Sequence, residues 1–382
     1  MNSYLNIINS FISFYKNAPD QHILLNETLS VISVKNFKDH LLNTIESYRT
    51  MGMQFMLKND WDIAITNWNS LLKINPNDRE ALLYLIQCLE NVDAQLDKQL
   101  QIRKQIEVQA PKNDDNLFKL GELYSKKNLD IDAIIYYDKA IEVNNNNSKY
   151  FNGRGISNGK LKNYKEAMLD FDKALNIDQE IAAYYGNRAR VNEELENYNG
   201  ALLDINKAIE INPKEEGFFA IRADIKVILK DYRGALLDYT IAIELNSKEA
   251  DYYSNRASIN SILNFKENAL SDINKAIDIN PKKANYYNNK SSHLRMSNNF
   301  NEAHRSVDIS IQLDPDEGRY YGTKATIFSS EDNETAFYKY LEISFTKGAK
   351  AAWLDKDIKE KYRNEVRFKD LLQKYHLTLD EE

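Results

Sequence analysis

A period of 34 residues runs through most of this 382-residue chain and constrains its fold more than any other feature. The prolines reveal the period, because Pro111, Pro213, Pro281 and Pro315 are separated by 102, 68 and 34 residues. A fixed period of this length is typical of repeat architectures, in which each repeat is one small structural unit packed on its neighbours. We number the repeats 1 to 9, and they begin at Ile45, Glu80, Asp114, Ser148, Ala182, Glu216, Ala250, Ala284 and Gly318.

Small residues recur at three positions of most repeats, which indicates two closely packed helices. In repeat 5 they are Ala189 at position eight, Ala201 at position twenty and Ala208 at position twenty-seven. Small side chains let two helices approach closely. Repeat 5 therefore predicts a helix A from Ala182 to Glu194 and a helix B from Tyr198 to Glu210. The predicted fold class is all-α, a solenoid of antiparallel helix pairs.

This pattern resembles the tetratricopeptide repeat family over residues 45–344, since its aromatic, small and proline positions keep their register across several repeats. The resemblance implies a right-handed superhelix with a concave face lined by the A helices. In this family, the concave face usually holds a peptide or a helix of a partner protein, and the repeats carry no chemistry of their own. We therefore expect a non-enzymatic interaction scaffold that needs no cofactor.

The expected organisation has three parts: an N-terminal helical cap over residues 1–44, the repeat array over 45–343, and C-terminal capping helices over 344–382. Both caps are expected because the terminal apolar faces of a solenoid need a cover. A dimer surface is the alternative interpretation of the aromatic residues in 1–44.

Three repeats depart from the pattern. Repeat 2, residues 80–113, is degenerate, and repeat 9, residues 318–343, is partial in sequence. The small positions of repeat 2 are occupied by Gln87, Gln99 and Ile106. In repeat 7, Phe265 comes one residue earlier than the corresponding aromatic residues of repeats 5 and 6, which predicts a different turn between its two helices.

Position seven of the repeat, commonly leucine in the family, is basic in six successive repeats. The residues are Arg154, Arg188, Arg222, Arg256, Lys290 and Lys324. A charge half-buried between two helices needs a partner. The four repeats with arginine also have an aspartate at position twenty-three of helix B, and these are Asp170, Asp204, Asp238 and Asp272.

Two sets of ion pairs fit these residues. Within one repeat the pairs are Arg154–Asp170, Arg188–Asp204, Arg222–Asp238 and Arg256–Asp272. Between neighbouring repeats they are Arg188–Asp170, Arg222–Asp204, Arg256–Asp238 and Lys290–Asp272. We favour the first set because it leaves only lysines unpaired, and we expect the pairs to be structural.

A partner peptide is expected to contact helix A at the positions that line the groove in the family. The candidate peptide-binding residues are Asn152, Asn187, Arg190, Asn255, Asn289 and Arg295. An asparagine side chain can both donate to and accept from a peptide backbone. The alternative interpretation is that these are solvated surface residues of an Asn-rich chain.

Composition excludes several other classes of function. The chain has 57 acidic and 50 basic residues, a net charge of −7 and a pI near 5.5, which opposes binding to nucleic acid. A single cysteine, Cys88, and five histidines without ligand spacing predict no metal site. Neither a signal peptide nor a run of 18 apolar residues is present, so we expect a cytoplasmic protein without membrane insertion.

Two alternatives to the scaffold stay open. One is a self-assembling structural array, which would be a homo-oligomer, and the less favoured one is a helical-repeat RNA binder. An enzyme is not expected, because the sequence contains no nucleophile–base arrangement and no phosphate-binding loop.

Overall fold

The computed structural model describes the backbone of residues 31–92, 95–351, 354 and 356–379, and side chains from residue 39 onward. These residues form 20 α-helices and no strands, which confirms the all-α prediction. The chain divides into two compact units, one ending at Leu161 and one beginning at Lys162.

The N-terminal unit holds the helices of repeats 1 to 3 and helix A of repeat 4. They are α1 (Val31–Leu57), α2 (Trp61–Ile74), α3 (Arg79–Asn91), α4 (Leu96–Gln109), α5 (Asp114–Lys126), α6 (Asp130–Val143) and α7 (Ser148–Lys160). Helix α1 passes without a break through the predicted boundary between residues 44 and 45, so the first helix of the array begins before the boundary. Most of the predicted N-terminal cap, residues 1–30, lies outside the described residues.

The C-terminal unit holds helix B of repeat 4, repeats 5 to 9 and the tail. The repeat helices are α8 (Tyr164–Ile177), α9 (Ala182–Glu194), α10 (Tyr198–Ile211), α11 (Glu216–Ile228), α12 (Tyr232–Leu245), α13 (Ala250–Ile262), α14 (Lys266–Ile279), α15 (Ala284–Met296), α16 (Phe300–Leu313), α17 (Gly318–Ser330) and α18 (Glu334–Thr346). The tail forms α19 (Lys356–Tyr362) and α20 (Val366–Lys374).

The repeats keep one register from repeat 3 to repeat 9. Every helix A begins at position one, and every helix B begins at position seventeen. The bounds predicted for repeat 5 are confirmed to within one residue, since helix B ends at Ile211. Repeat 9 has both of its helices, and the predicted boundary between residues 343 and 344 falls inside α18. Repeat 9 is therefore structurally complete, although its sequence departs from the pattern.

The turn between the two helices is the same in repeat 7 as in its neighbours, so the prediction of a different turn is wrong. Asn264 has φ +63°, and the corresponding Lys230 has φ +62°. In both repeats a backbone N–H just before helix B bonds a carbonyl five residues back, from Phe265 to Asn260 and from Asp231 to Lys226. These bonds use only backbone atoms, so the turn does not depend on where the aromatic side chain falls.

The degenerate repeat 2 has two buried polar side chains on its helix B, Gln99 at one of the small positions and Arg103. Gln99 donates to the carbonyl oxygen of Leu89 at 3.2 Å. Arg103, only 6% exposed, donates to Asn116 Oδ1 at 3.1 Å and to Glu90 Oε1 at 2.5 Å. These bonds satisfy polar groups that would otherwise be buried without a partner, although Arg103 Nε has none among the described residues.

The tail packs against the last repeat. The ring of Tyr362 is fully buried and stacks on Phe337 of α18, with ring centroids 4.1 Å apart. Ser329 of α17 donates a hydrogen bond to the Tyr362 hydroxyl at 3.1 Å, and Phe368 of α20 is also fully buried. We therefore propose that this segment is the predicted C-terminal cap, because it covers apolar residues of repeat 9.

Candidate functional site

Within each unit separately, we use the name A-helix face for the side chains at positions two, five, six, nine, twelve and thirteen of the A helices. In the C-terminal unit it carries five of the six candidate peptide-binding residues. Asn187 and Arg190 lie on α9, Asn255 on α13, and Asn289 and Arg295 on α15. Arg190 and Asn255 are exposed, and the other three are half-buried. All five side chains are therefore at or near the surface.

Three of these candidates bond to a neighbouring repeat. Asn255 donates to the Tyr239 hydroxyl at 2.8 Å, and Asn289 donates to Ser254 Oγ at 3.2 Å. Arg295 donates to Ser330 Oγ at 3.3 Å. Each amide has two donor hydrogens and one acceptor oxygen, so one intramolecular bond leaves capacity for a peptide backbone.

A charged cluster of Arg190, Glu193 and Asp224 lies on the same face. Burial is the main cause that raises the pKa of the Asp224 carboxyl, although this residue still reaches solvent. Burial, and then the charge of Asp224, raises the pKa of Glu193, while Arg190 opposes both shifts. Tyr239 donates a short hydrogen bond to Asp224, which connects the cluster to Asn255. Sequence reasoning interpreted the adjacent acids Glu193 and Glu194 as a solvated helix face and did not include Glu193 among the candidates.

We call the arginines at position seven, Arg154, Arg188, Arg222 and Arg256, the arginine row. In repeats 5, 6 and 7 each of them forms a two-pronged contact with the aspartate at position twenty-three of the same repeat. Arg188 donates to Asp204 at 2.9 Å from Nε and 2.6 Å from Nη2. The distances are 2.9 and 2.7 Å both for Arg222 with Asp238 and for Arg256 with Asp272. Each aspartate is buried and each arginine is half-buried. The hydrogen bonds to Asp204 are the main cause that raises the pKa of Arg188.

The same arginines also reach back to the preceding repeat, which neither predicted set included. Nη1 of Arg188 donates to Asp172 at 2.6 Å, and Nη1 of Arg222 donates to Asn206 at 2.7 Å. The acceptors lie at position twenty-five, two residues after the predicted aspartates. Each of these arginines therefore joins its own helix B to the helix B of the repeat before it.

Two further contacts complete the environment of each arginine. The guanidinium lies over an aromatic ring three residues earlier, with Arg222 5.5 Å from the Phe219 centroid. Position eleven supplies another donor to the aspartate: Asn192 to Asp204 at 3.0 Å, and Lys226 to Asp238 at 2.7 Å. Position eleven changes to leucine in repeat 8, where the arginine and aspartate are also absent, and this co-occurrence is the signal that sequence reasoning missed.

The fourth predicted pair, Arg154 with Asp170, joins residues of the two units and stays a prediction. Within the N-terminal unit, Arg154 donates to Asp138 of α6 at 2.5 Å. Asp138 occupies position twenty-five of repeat 3, so this contact repeats the backward bond of Arg188 and Arg222.

A pocket of about 190 Å³ lies on the A-helix face, between repeats 8 and 9 and the segment after α18. Its lining includes Arg295, Arg319 and Lys350 and, among the described residues, no carboxylate. Asn288 also lines it, and its buried Oδ1 accepts no hydrogen bond from any described residue. Such a lining suits an anionic group accompanied by a hydrogen-bond donor.

Asn152, the sixth candidate, lies in the N-terminal unit and lines a different pocket of about 480 Å³. This pocket lies between helix A of repeat 3 and helix A of repeat 4. The sequence-predicted candidates therefore lie in two different units of the chain.

His293 occupies a core position that other repeats fill with an aliphatic residue, such as Ile225 or Ile259. It is 8% exposed, and neither ring nitrogen has a hydrogen-bond partner in the described part of the chain. Burial lowers its pKa from 6.5 to about 4. Sequence reasoning considered this histidine only as a possible metal ligand.

We expect acid to destabilise the protein through His293. Between pH 6.5 and about 4 the unfolded chain binds a proton that the folded chain excludes, so stability is full above pH 6.5 and falls below it. The total loss is roughly 3–4 kcal/mol at about 1.4 kcal/mol per pKa unit. Urea unfolding at a series of pH values should give a smaller acid slope for His293→Ile than for wild type. Equal slopes for wild type and His293→Ile would refute the assignment.

Neither a metal site nor a membrane span is found in the described residues. Within these ranges, no three His, Cys, Asp or Glu side chains are grouped so that they could hold a metal ion. None of the described helices is both long enough and apolar enough to cross a membrane.

Comparisons with known proteins agree with the helical-repeat fold. A tetratricopeptide repeat family model matches residues 115–147, 149–181, 182–215 and 250–283. The crystal structure of the APC/C hetero-tetramer Cut9–Hcn1 is similar with a TM-score of 0.53 and 14% identity, over 82% of this chain and 59% of that chain. This similarity supports the solenoid fold.

Two other solved structures match smaller parts of the chain. YrrB, described as a TPR protein with an unusual peptide-binding site, matches with 24% identity and a TM-score of 0.39, over 47% of this chain and 92% of that chain. MamA matches with 16% identity and a TM-score of 0.40, over 42% of this chain and 94% of that chain. No curated protein sequence matches the chain.

Proposed function

We propose, from the premise that this chain is a tetratricopeptide repeat protein, that it is a non-enzymatic scaffold whose A-helix face binds an extended or helical segment of a partner protein. The observation that carries this proposal is the cluster of Arg190, Glu193 and Asp224. Its acids reach solvent, yet burial raises the pKa of both. Charged groups that are accessible and partly desolvated are candidates for recognition rather than simple solvation.

The residues around this cluster suit a peptide. The amides of Asn187 and Asn255 can bond to a peptide backbone, while the charges at 190, 193 and 224 can select its side chains. The arginine row does not compete for this role, because its members already bond Asp204, Asp238 and their neighbours. We also propose that the protein is cytoplasmic and does not bind nucleic acid.

Affinity capture from the native host tests this proposal. The test variant carries Asn187→Ala, Arg190→Ala and Asn255→Ala. The matched control carries Lys173→Ala, Asn199→Ala and Asn274→Ala, which removes two amides and one charge from exposed sites on B helices. We expect the test variant to recover at least about tenfold less partner than wild type, since two or three interface contacts are lost. Equal recovery by all three proteins would remove this face from the proposal.

Self-association is a second candidate, and one observation favours it. Leu169, Leu203 and Leu237 occupy position twenty-two of three successive B helices and are 69%, 73% and 66% exposed. Large apolar side chains repeated on one surface are typical of protein contacts. Their equal spacing would let a second copy pair Leu203 with itself about a two-fold axis. Light scattering across a concentration range distinguishes such a dimer from a monomeric scaffold.

A further inference from the structure

The pocket of about 480 Å³ in the N-terminal unit combines an apolar floor with a basic rim. Its volume is within the roughly 300–1,000 Å³ that is typical of ligand-binding pockets. It lies on the A-helix face between α5 and α7, with one residue of α6 beneath it. All of its lining residues belong to repeats 3 and 4.

The floor is built from Phe118, Tyr137, Gly153 and Ile156. Phe118 and Tyr137 are 8% and 3% exposed, so the rings are held rigidly in the core. A Cβ at position 153 would lie 2.9 Å from the Tyr137 ring, so the glycine is what allows the ring to lie under the pocket. Ile156 remains 36% exposed and gives the pocket an apolar surface that a ligand can cover.

The rim carries four lysines and one glutamate. Lys119 pairs with Glu122 at 2.7 Å, and Lys160 lies 3.4 Å from Asp130 and donates to Ser125 Oγ at 3.0 Å.

The other two rim lysines, Lys126 and Lys149, are exposed, and no carboxylate in the described part of the chain forms an ion pair with either. The rim is thus positive on a chain whose net charge is −7.

We infer that this pocket binds an apolar side chain of a partner peptide whose flanking residues are acidic. The inference rests on the proposed function and specifies the peptide class at this part of the face. The floor desolvates the apolar anchor, and Lys126 and Lys149 attract carboxylates on either side of it. Asn152, beside Gly153, is positioned to bond the peptide backbone. An RNA strand fits less well, because Ile156, the exposed residue of the floor, has no aromatic face on which a base could stack.

Selection of a random peptide library against the full-length chain, followed by fluorescence anisotropy with the selected peptides, tests the inference. The test variant is Lys126→Glu with Lys149→Glu. The matched control is Lys173→Glu with Lys275→Glu, two exposed lysines on B helices that change the net charge equally. A third variant, Ile156→Asn, alters the floor without changing charge. Circular dichroism melting verifies that each variant is folded.

We expect the selected peptides to contain Asp or Glu around an aromatic or aliphatic residue. The test variant should weaken their binding at least about tenfold, and the control less than about twofold. Ile156→Asn should also weaken binding, but with no change in salt dependence.

Other results would overturn the inference. Peptides whose affinity ignores both lysine changes would contradict it, as would an oligouridine that binds and loses affinity with Lys126→Glu and Lys149→Glu. If such peptides instead depend on Asn187, Arg190 and Asn255, the proposed function stands without this pocket. If no peptide is selected, both fail.

Discussion

Replacing Asp238 by alanine should lower the free energy of unfolding by about 3–5 kcal/mol, because it leaves two half-buried cations without their buried counter-charge. Asp238 is 2% exposed and accepts hydrogen bonds from Arg222 at 2.9 and 2.7 Å. Lys226 Nζ lies 2.7 Å from Asp238 Oδ2, the oxygen that also accepts from Arg222 Nε. Urea unfolding of Asp238→Ala measures the loss. The control Asp278→Ala removes an exposed aspartate and should change stability by no more than about 0.5 kcal/mol.

A double-mutant cycle separates the ion pair from the packing around it. Arg222→Met keeps most of the stem that packs on Phe219 and removes the charge. We expect a coupling energy of at least about 1 kcal/mol between Arg222→Met and Asp238→Ala. Coupling near zero would mean that the arginine row does not stabilise the fold through its ion pairs with the aspartates.

Replacing Tyr362 by alanine should destabilise the C-terminal repeats by about 3–5 kcal/mol, as expected for truncating a fully buried aromatic residue. The change removes the stack on Phe337 and the acceptor of the Ser329 hydrogen bond. Tyr362→Phe keeps the ring and loses the hydroxyl, so it should cost only about 1 kcal/mol. The exposed Val366→Ala on the next helix should cost no more than about 0.5 kcal/mol.

Hydrogen exchange is the measurement that locates the effect of Tyr362→Ala. Stability in a repeat array is largely a sum of repeat and nearest-neighbour terms, so loss of a cap should be felt most strongly in repeat 9. We expect faster exchange in α17 and α18 than in α9 and α10. Uniformly faster exchange, or none, would contradict the capping role.

The helix register could be predicted because it depends on periodic small residues. Ala189, Ala201 and Ala208 are all fully buried, and the helices of repeat 5 begin where these positions require. The turn of repeat 7 could not be predicted from Phe265, because backbone bonds determine it. Repeat 9 was predicted to be partial, yet it has both of its helices, because helix bounds tolerate a change of side chains.

The candidate site was less predictable than the fold. The pairing of Arg222 with Asp238 could be predicted, because arginine at position seven and aspartate at position twenty-three occur in the same repeats. The bond from Arg222 to Asn206 could not be predicted. Position twenty-five is Asp172, Asn206 and Thr240 in successive repeats, and these share only an acceptor oxygen. Likewise, position alone suggested Asn289 as a peptide contact, and only the structure reveals that its side chain also bonds Ser254.

The most direct test of the central claim is site-specific photo-crosslinking in the native host. A benzophenone amino acid replaces Arg190 on the A-helix face in one protein and the exposed Asn199 at the start of a helix B in another. If the A-helix face binds a partner segment, the residue at 190 should crosslink the partner and the residue at 199 should not. A crosslink from 199 with none from 190 would contradict the account.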